Sequence, residues 1–146
     1  ALEGRGPFPV KYRWQETLET LEDLAAAGQA DACEGVFLDY TDPLTRGSTT
    51  ATLGCRIQML RPGEETRSHR HTCSTIYHVV RGSGIMKVGK TKTDEESIEW
   101  VERDCFDLPS WQWHRFRNGS ATAPAILFSV SDRPVLESLR LYREQS

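Results

Sequence analysis

Residues 61–84 read RPGEETRSHRHTCSTIYHVVRGSG, with His69 and His71 at the centre. Pro62-Gly63 and Gly82 are turn signals that bracket two short strand runs, 66–72 and 74–81. Side chains at i and i+2 of a strand leave the same face, so the two imidazoles can meet at one point. A third histidine, His114, opens a later strand run in PSWQWHRFRN (109–118). A neighbouring strand would bring its ring beside the other two.

Outward from this stretch the apolar period stays near two. Strand runs fall at 35–40, 52–62, 84–89, 97–101, 105–108, 112–117 and 125–131, punctuated by Gly84, Gly89, Pro109 and Gly119. Tyr12 to Gly28 reads instead as a helix, because Trp14, Leu18, Leu21 and Ala25 recur at three- and four-residue steps; Gly28 supplies the stop. Asp132 and Pro134 open a last helix, with Leu136, Leu139, Leu141 and Tyr142 as its apolar contacts. Many short strands between two helices predict an all-β fold, a barrel or double-sheet jelly roll with an N-terminal helix and a short C-terminal one. Residues 1–10, ALEGRGPFPV, read as an arm, and 11–146 as a single domain, as expected at about 150 residues per domain.

The 146-residue chain carries 18 Lys+Arg against 21 Asp+Glu, a net charge of −3. With no basic excess, phosphate-directed nucleic-acid binding is not expected. No apolar run approaches the roughly 20 residues that span a bilayer, and the first ten lack a signal-peptide core, so a cytoplasmic protein is expected. Cys33, Cys55, Cys73 and Cys105 form no CxxC pair, and free thiols are the simpler reading.

The pattern Gly63-x5-His69-x-His71, followed by Gly82, resembles the first cupin motif, and Pro109-x4-His114-x3-Asn118 the second. Cupins are small double-sheet β-barrels (double-stranded β-helices), and the resemblance makes His69, His71 and His114 ligands of a divalent metal inside the barrel. The usual first motif adds a Glu four residues after its second His; here that position is Thr75. The expected site is therefore three neutral imidazoles with no charged ligand. Imidazole suits Fe, Zn, Cu and Ni alike, and the open coordination positions favour catalysis over a closed structural site.

Within the cupins, CRIQMLRPGEETRSHRHTCSTIYHVVRGSG together with DLPSWQWHRFRN resembles the gentisate 1,2-dioxygenase family, which includes salicylate and 1-hydroxy-2-naphthoate dioxygenases. KYRW, the YTDPLT segment and FSVSDRPVLESLRLYRE extend the likeness to nearly the whole chain. Members are usually two-cupin chains, and this one resembles their C-terminal half, as a fragment or as a stand-alone cupin. The resemblance implies an extradiol-type ring-cleaving dioxygenase using Fe(II), with Zn, Ni or Mn as alternatives, acting on a small aromatic hydroxy acid and O2. His69, His71 and His114 match the iron ligands. Gln58 matches a glutamine that reaches the substrate region, or is a hydrogen-bonded core amide; Arg56 shares its strand parity. Tyr77 stands where the catalytic barrel has an Arg for the substrate carboxylate, and Phe116 where it has a second His, so charge recognition is weaker here.

Neighbouring residues carry plainer readings. Trp111 and Trp113 pack at a barrel rim, Arg70 and His78 point outward, Cys73 is a small buried hydrophobe, and Asn118-Gly119-Ser120 is a turn. The apolar stripe of the first helix and the 52–62 strand suggest a partner surface, hence a homo-oligomer. Two other functions stay open. One is a non-catalytic or vestigial metal-binding module acting in oligomerisation. The other is a metal cupin isomerase or lyase on a small anion.

Overall fold

The computed structural model describes residues 10–146. Residues 1–9, most of the expected arm, lie outside that range. Helix α1 (Trp14–Ala26) precedes β1 (Val36–Asp39), β2 (Gly54–Leu60), β3 (Arg70–His71), β4 (Thr75–Arg81), β5 (Ser83–Gly89) and β6 (Glu95–Val101). The chain continues through β7 (Cys105–Leu108), β8 (Trp113–Asn118), β9 (Ala125–Ser131), α2 (Arg133–Ser138) and β10 (Glu144–Gln145).

One sheet has the order β1-β2-β9-β4-β7 and a second β6-β5-β8, every pairing antiparallel. Bridges Glu65–Arg117 and His69–His114 lay the segment before β3 along β8, and β10 pairs with β3 beyond it. The result is the expected double-sheet jelly roll. Non-consecutive neighbours such as β2-β9 and β5-β8 are what close it.

Alternation along each strand sorts side chains between two cores. Leu60, Tyr77, Val79, Met86, Trp100, Leu108, Phe116 and Leu127 fill the space between the sheets. Residues of opposite parity on β2 and β9, Ile57, Met59 and Ile126, face out and are covered by Leu21 of α1 together with Val36. A fully buried leucine contributes about 2 kcal/mol, and Leu21 is such a side chain. The apolar stripe of α1 thus packs on the chain's own sheet, which corrects its reading as a partner surface.

One other expectation is corrected. Leu139 and Leu141 are exposed, because α2 stops at Ser138 and the chain then turns away. Arg70 points out of the barrel, as its parity predicts. Its guanidinium lies 4.2 Å from the Trp111 ring centroid and 4.7 Å from that of Trp113, and donates to Gln145 Oε1. That clasp ties β10 to β3. The Asn118 turn is present: Asn118 Nδ2 donates to the carbonyls of Leu60, Arg61 and Ala123, while Oδ1 accepts from Ser120 N. All four cysteines are free.

Candidate metal centre

His69 and His114 exchange backbone hydrogen bonds, N to O at 3.0 and 2.9 Å, which sets their rings side by side. His71, two residues on, projects to the same face. Ring centroids are 4.2 Å apart for His69–His114, 5.0 Å for His71–His114 and 5.8 Å for His69–His71. One ligand atom from each ring lies within 4.8 Å of the others, and all three residues are buried. The convergence expected from i, i+2 spacing plus a neighbouring strand is therefore present.

In two of the three rings the nitrogens are sorted for coordination. His71 Nδ1 lies 3.1 Å from the Cys73 carbonyl, and His114 Nδ1 lies 3.1 Å from that of Gln112. Carbonyls only accept, so each Nδ1 carries the proton and each Nε2 keeps its lone pair. Cys73 Sγ sits 3.1 Å from the same His71 nitrogen. Burial pushes the Cys73 thiol up to about 11, so it stays protonated there. His114 Nε2 is buried with no hydrogen-bond partner, and His69 Nε2 meets only the Glu34 carboxylate, 3.3 Å away. Orphaned polar atoms in a dry interior are costly, and a divalent transition metal held by three neutral imidazoles would satisfy them. The residues present fit such an ion.

Burial, then the neighbouring charges of His69 and His71, hold His114 down at about 3. His71 is lowered for the same leading reason, whereas Glu34 raises His69 against the effect of burial. Two rings thus resist protonation and one invites it. Below about pH 6.5 the unfolded chain takes up protons that folded His71 and His114 refuse. Their contribution is complete above that pH and is lost as the pH falls. The metal-free protein should unfold at lower urea concentration at pH 5.5 than at pH 7.5.

A cavity of about 340 Å³ opens beside the histidines, lined among others by Glu34, Arg56, His71, Thr75, Tyr77 and Ser129. This is within the size range of small-molecule sites. Tyr77 is packed by Phe106 and Phe116 at centroid distances of 5.2 and 5.1 Å. Burial, reinforced by Glu34, pushes its phenol well up, leaving it a neutral hydrogen-bond donor at the cavity wall. Arg56 faces inward as its strand parity predicts, but it donates to both Asp39 oxygens at 2.7 and 3.0 Å and lies 3.1 Å from Glu34 Oε1. Gln58 is buried behind the wall: Nε2 donates to the Glu34 carbonyl, and Oε1 has no partner. Trp111 and Trp113 are not among the residues lining the cavity.

Glu34 is the residue that sequence reasoning missed. The three imidazoles converge without a charged residue in their group, but a carboxylate stands beside them, its Oε1 3.3 Å from His69 Nε2. Burial alone would raise Glu34, but His69 and then Arg56 draw it down to about 2. A tight turn aims it. Asp31 Oδ1 accepts from Cys33 N and Glu34 N, and Asp31 and Gly35 exchange backbone bonds of 2.8 and 2.9 Å. Gly35 has φ +71°, and a Cβ there would stand 2.8 Å from the Met59 carbonyl. The readable signal was DACEG, an Asx turn closed by a glycine. Gly35→Ala should cost about 1–3 kcal/mol, measured by urea denaturation, and displace Glu34 from His69.

Residues 56–131 match the cupin domain family. The chain is 41% identical over 142 residues to 5-aminosalicylate 1,2-dioxygenase from Comamonas sp, covering 96% of this chain and 36% of that protein. It is 38% identical to 1-hydroxy-2-naphthoate 1,2-dioxygenase from Nocardioides sp. (strain KP7), covering 94% of this chain and 34% of that one. Salicylate 1,2-dioxygenase from Pseudoaminobacter salicylatoxidans, solved with gentisate, superposes with a TM-score of 0.79 at 30% identity, over 92% of this chain and 36% of its own. The chain thus spans little more than a third of the length of these relatives. Matched motif, jelly roll and converging histidines agree: the chain belongs to the cupin family, and it is similar to the dioxygenases of gentisate, salicylate and hydroxynaphthoate within it.

Proposed function

We propose that this cupin unit, residues 11–146, binds Fe(II) through His69, His71 and His114 and opens the ring of a hydroxylated aromatic acid with O2. The observation that carries the reading is the meeting of three imidazole donors beside a cavity of single-ring size. Bound iron would supply a path for electrons from the ring to O2, so no separate reductant is required. Zn, Ni and Mn are the alternatives for the same donor set.

The chain's own groups do the positioning. His71 and Glu34 stand at the cavity wall, whereas His69 and His114 are fully buried behind it. The substrate's oxygens would therefore approach past His71. Tyr77 offers one neutral hydrogen bond, and Thr75 and Ser129 offer hydroxyls to a carboxylate or phenol. Arg56 supplies the cationic wall, its charge shared with Asp39 and Glu34. Gln58 acts one step back by holding the backbone that carries Glu34.

That sharing also favours a second reading, a metal-binding module without turnover, because Arg56 is not left free for an anionic substrate alone. Oxygen uptake by Fe(II)-loaded protein with gentisate, salicylate, 5-aminosalicylate and 1-hydroxy-2-naphthoate separates the two. Uptake coupled to ring-opened product supports the dioxygenase. Stoichiometric iron without uptake supports the module, and oxygen-independent turnover of a small anion would point to isomerase or lyase chemistry. Sedimentation of the same sample tests the proposed homo-oligomer.

A further inference from the structure

We infer that Arg133 forms a second anion site in the cavity, receiving an acidic group that the aromatic ring carries away from its metal-binding end; the inference rests on the aromatic-acid reading above. The cavity that His71 lines also reaches Arg133 and Glu137 of α2 and Tyr142 of the tail. Arg56, on the same wall, is engaged at all three nitrogens: Nε and Nη2 donate to Asp39, and Nη1 lies 3.1 Å from Glu34 Oε1. Arg133 is engaged at one. Its Nε donates to Glu137 Oε1 at 2.7 Å, while Nη1 and Nη2 have no hydrogen-bond partner among the described residues.

A guanidinium donates only in its own plane. The Tyr142 ring lies against the face of this one, its centroid 4.3 Å from Cζ, and Glu137 clamps the Nε edge. What remains is the fork of the two Nη atoms, on a side chain that is 38% exposed and lines the cavity. That edge matches two oxygens of a carboxylate or sulfonate, and its direction is fixed before an anion arrives. Glu137 offsets the charge but takes none of the fork. Between Arg56 and Arg133 the floor is made of small groups. Ser129 stands opposite Arg56 and Tyr77, and one rung on, Ser131 stands opposite Gly54 and Thr75. A rung is about 7 Å along a strand, and Arg133 comes two residues after Ser131. Gly54 leaves the gap between this shelf and α2, because a Cβ there would already touch Pro134, at 3.5 Å. A flat ring laid over the shelf, with its chelating oxygens toward His71, carries its far substituent toward α2. The ligand class is an aromatic hydroxy acid with a second acidic group across the ring from the chelating pair.

The test is calorimetric titration of the Zn(II)-loaded chain with salicylate and with 5-sulfosalicylate. These share the chelating pair and differ by one sulfonate on the far side of the ring. Wild type should bind 5-sulfosalicylate about 10-fold more tightly. Arg133→Gln should abolish that preference and leave the affinity for salicylate unchanged. A crystal of the wild-type complex should place two sulfonate oxygens about 2.8 Å from Nη1 and Nη2, which decides the matter even if the variant fails to fold. Equal affinities in wild type, or a preference that survives in Arg133→Gln, overturns the inference while leaving the aromatic-acid reading intact. A variant that loses both acids alike makes Arg133 a structural residue and overturns it too. Wild type that binds neither acid instead overturns the aromatic-acid reading itself.

Discussion

His114→Ala is expected to lose tight divalent-metal binding, by at least on the order of 100-fold. The ring supplies one of three converging donors, and it is fully buried between His69, His71 and Phe116. No spare histidine can take its place. The fourth one, His78, points out of the barrel as its parity predicts and lies against Cys105. Calorimetric titration with Zn(II) or Co(II), beside metal analysis of the purified variant, checks this. Retention of one equivalent of metal would place the site elsewhere.

Phe116→Ala should damage the fold severely, at about 3–5 kcal/mol. Phe116 is fully buried, and its ring meets those of Tyr77, Phe106 and His114 at centroid distances of 5.1, 6.4 and 6.0 Å. It is the packed floor on which both the cavity wall and the third ligand rest. Equilibrium urea denaturation of the metal-free protein measures the loss. Phe116→Leu, which keeps most of the volume, should cost under about 1.5 kcal/mol. Equal losses in the two variants would mean that the aromatic packing is not what matters here.

The parts of the fold that alternation can specify were readable before any coordinates. β7 and β9 fall on the expected residues, and the helical stripe of α1 marks the face that covers the outer sheet. Elements defined by distant partners were not readable. β3 shrinks to Arg70–His71 because the residues before it touch β8 only through isolated bridges. β10 is two residues long, with no alternation of its own, and exists because β3 offers it an edge. The site divides the same way. Histidine spacing announced the three rings, whereas Glu34 reaches His69 through a turn whose aim depends on Gly35 passing close under Met59. Local sequence shows that such a turn exists, but not where it points.

The clasp between β10 and β3 bears on when the three-histidine centre is completed. Arg70 and Gln145 are 75 residues apart, and Glu144 lies opposite His71 itself. As the chain leaves the ribosome, the strand carrying His71 has an unpaired rim until these late residues emerge. Closing so long a loop is slow compared with forming a hairpin. Maturation of the centre should therefore finish only after nearly all of this sequence has been translated, and nascent chains stalled before Glu144 should release ions that the finished barrel retains.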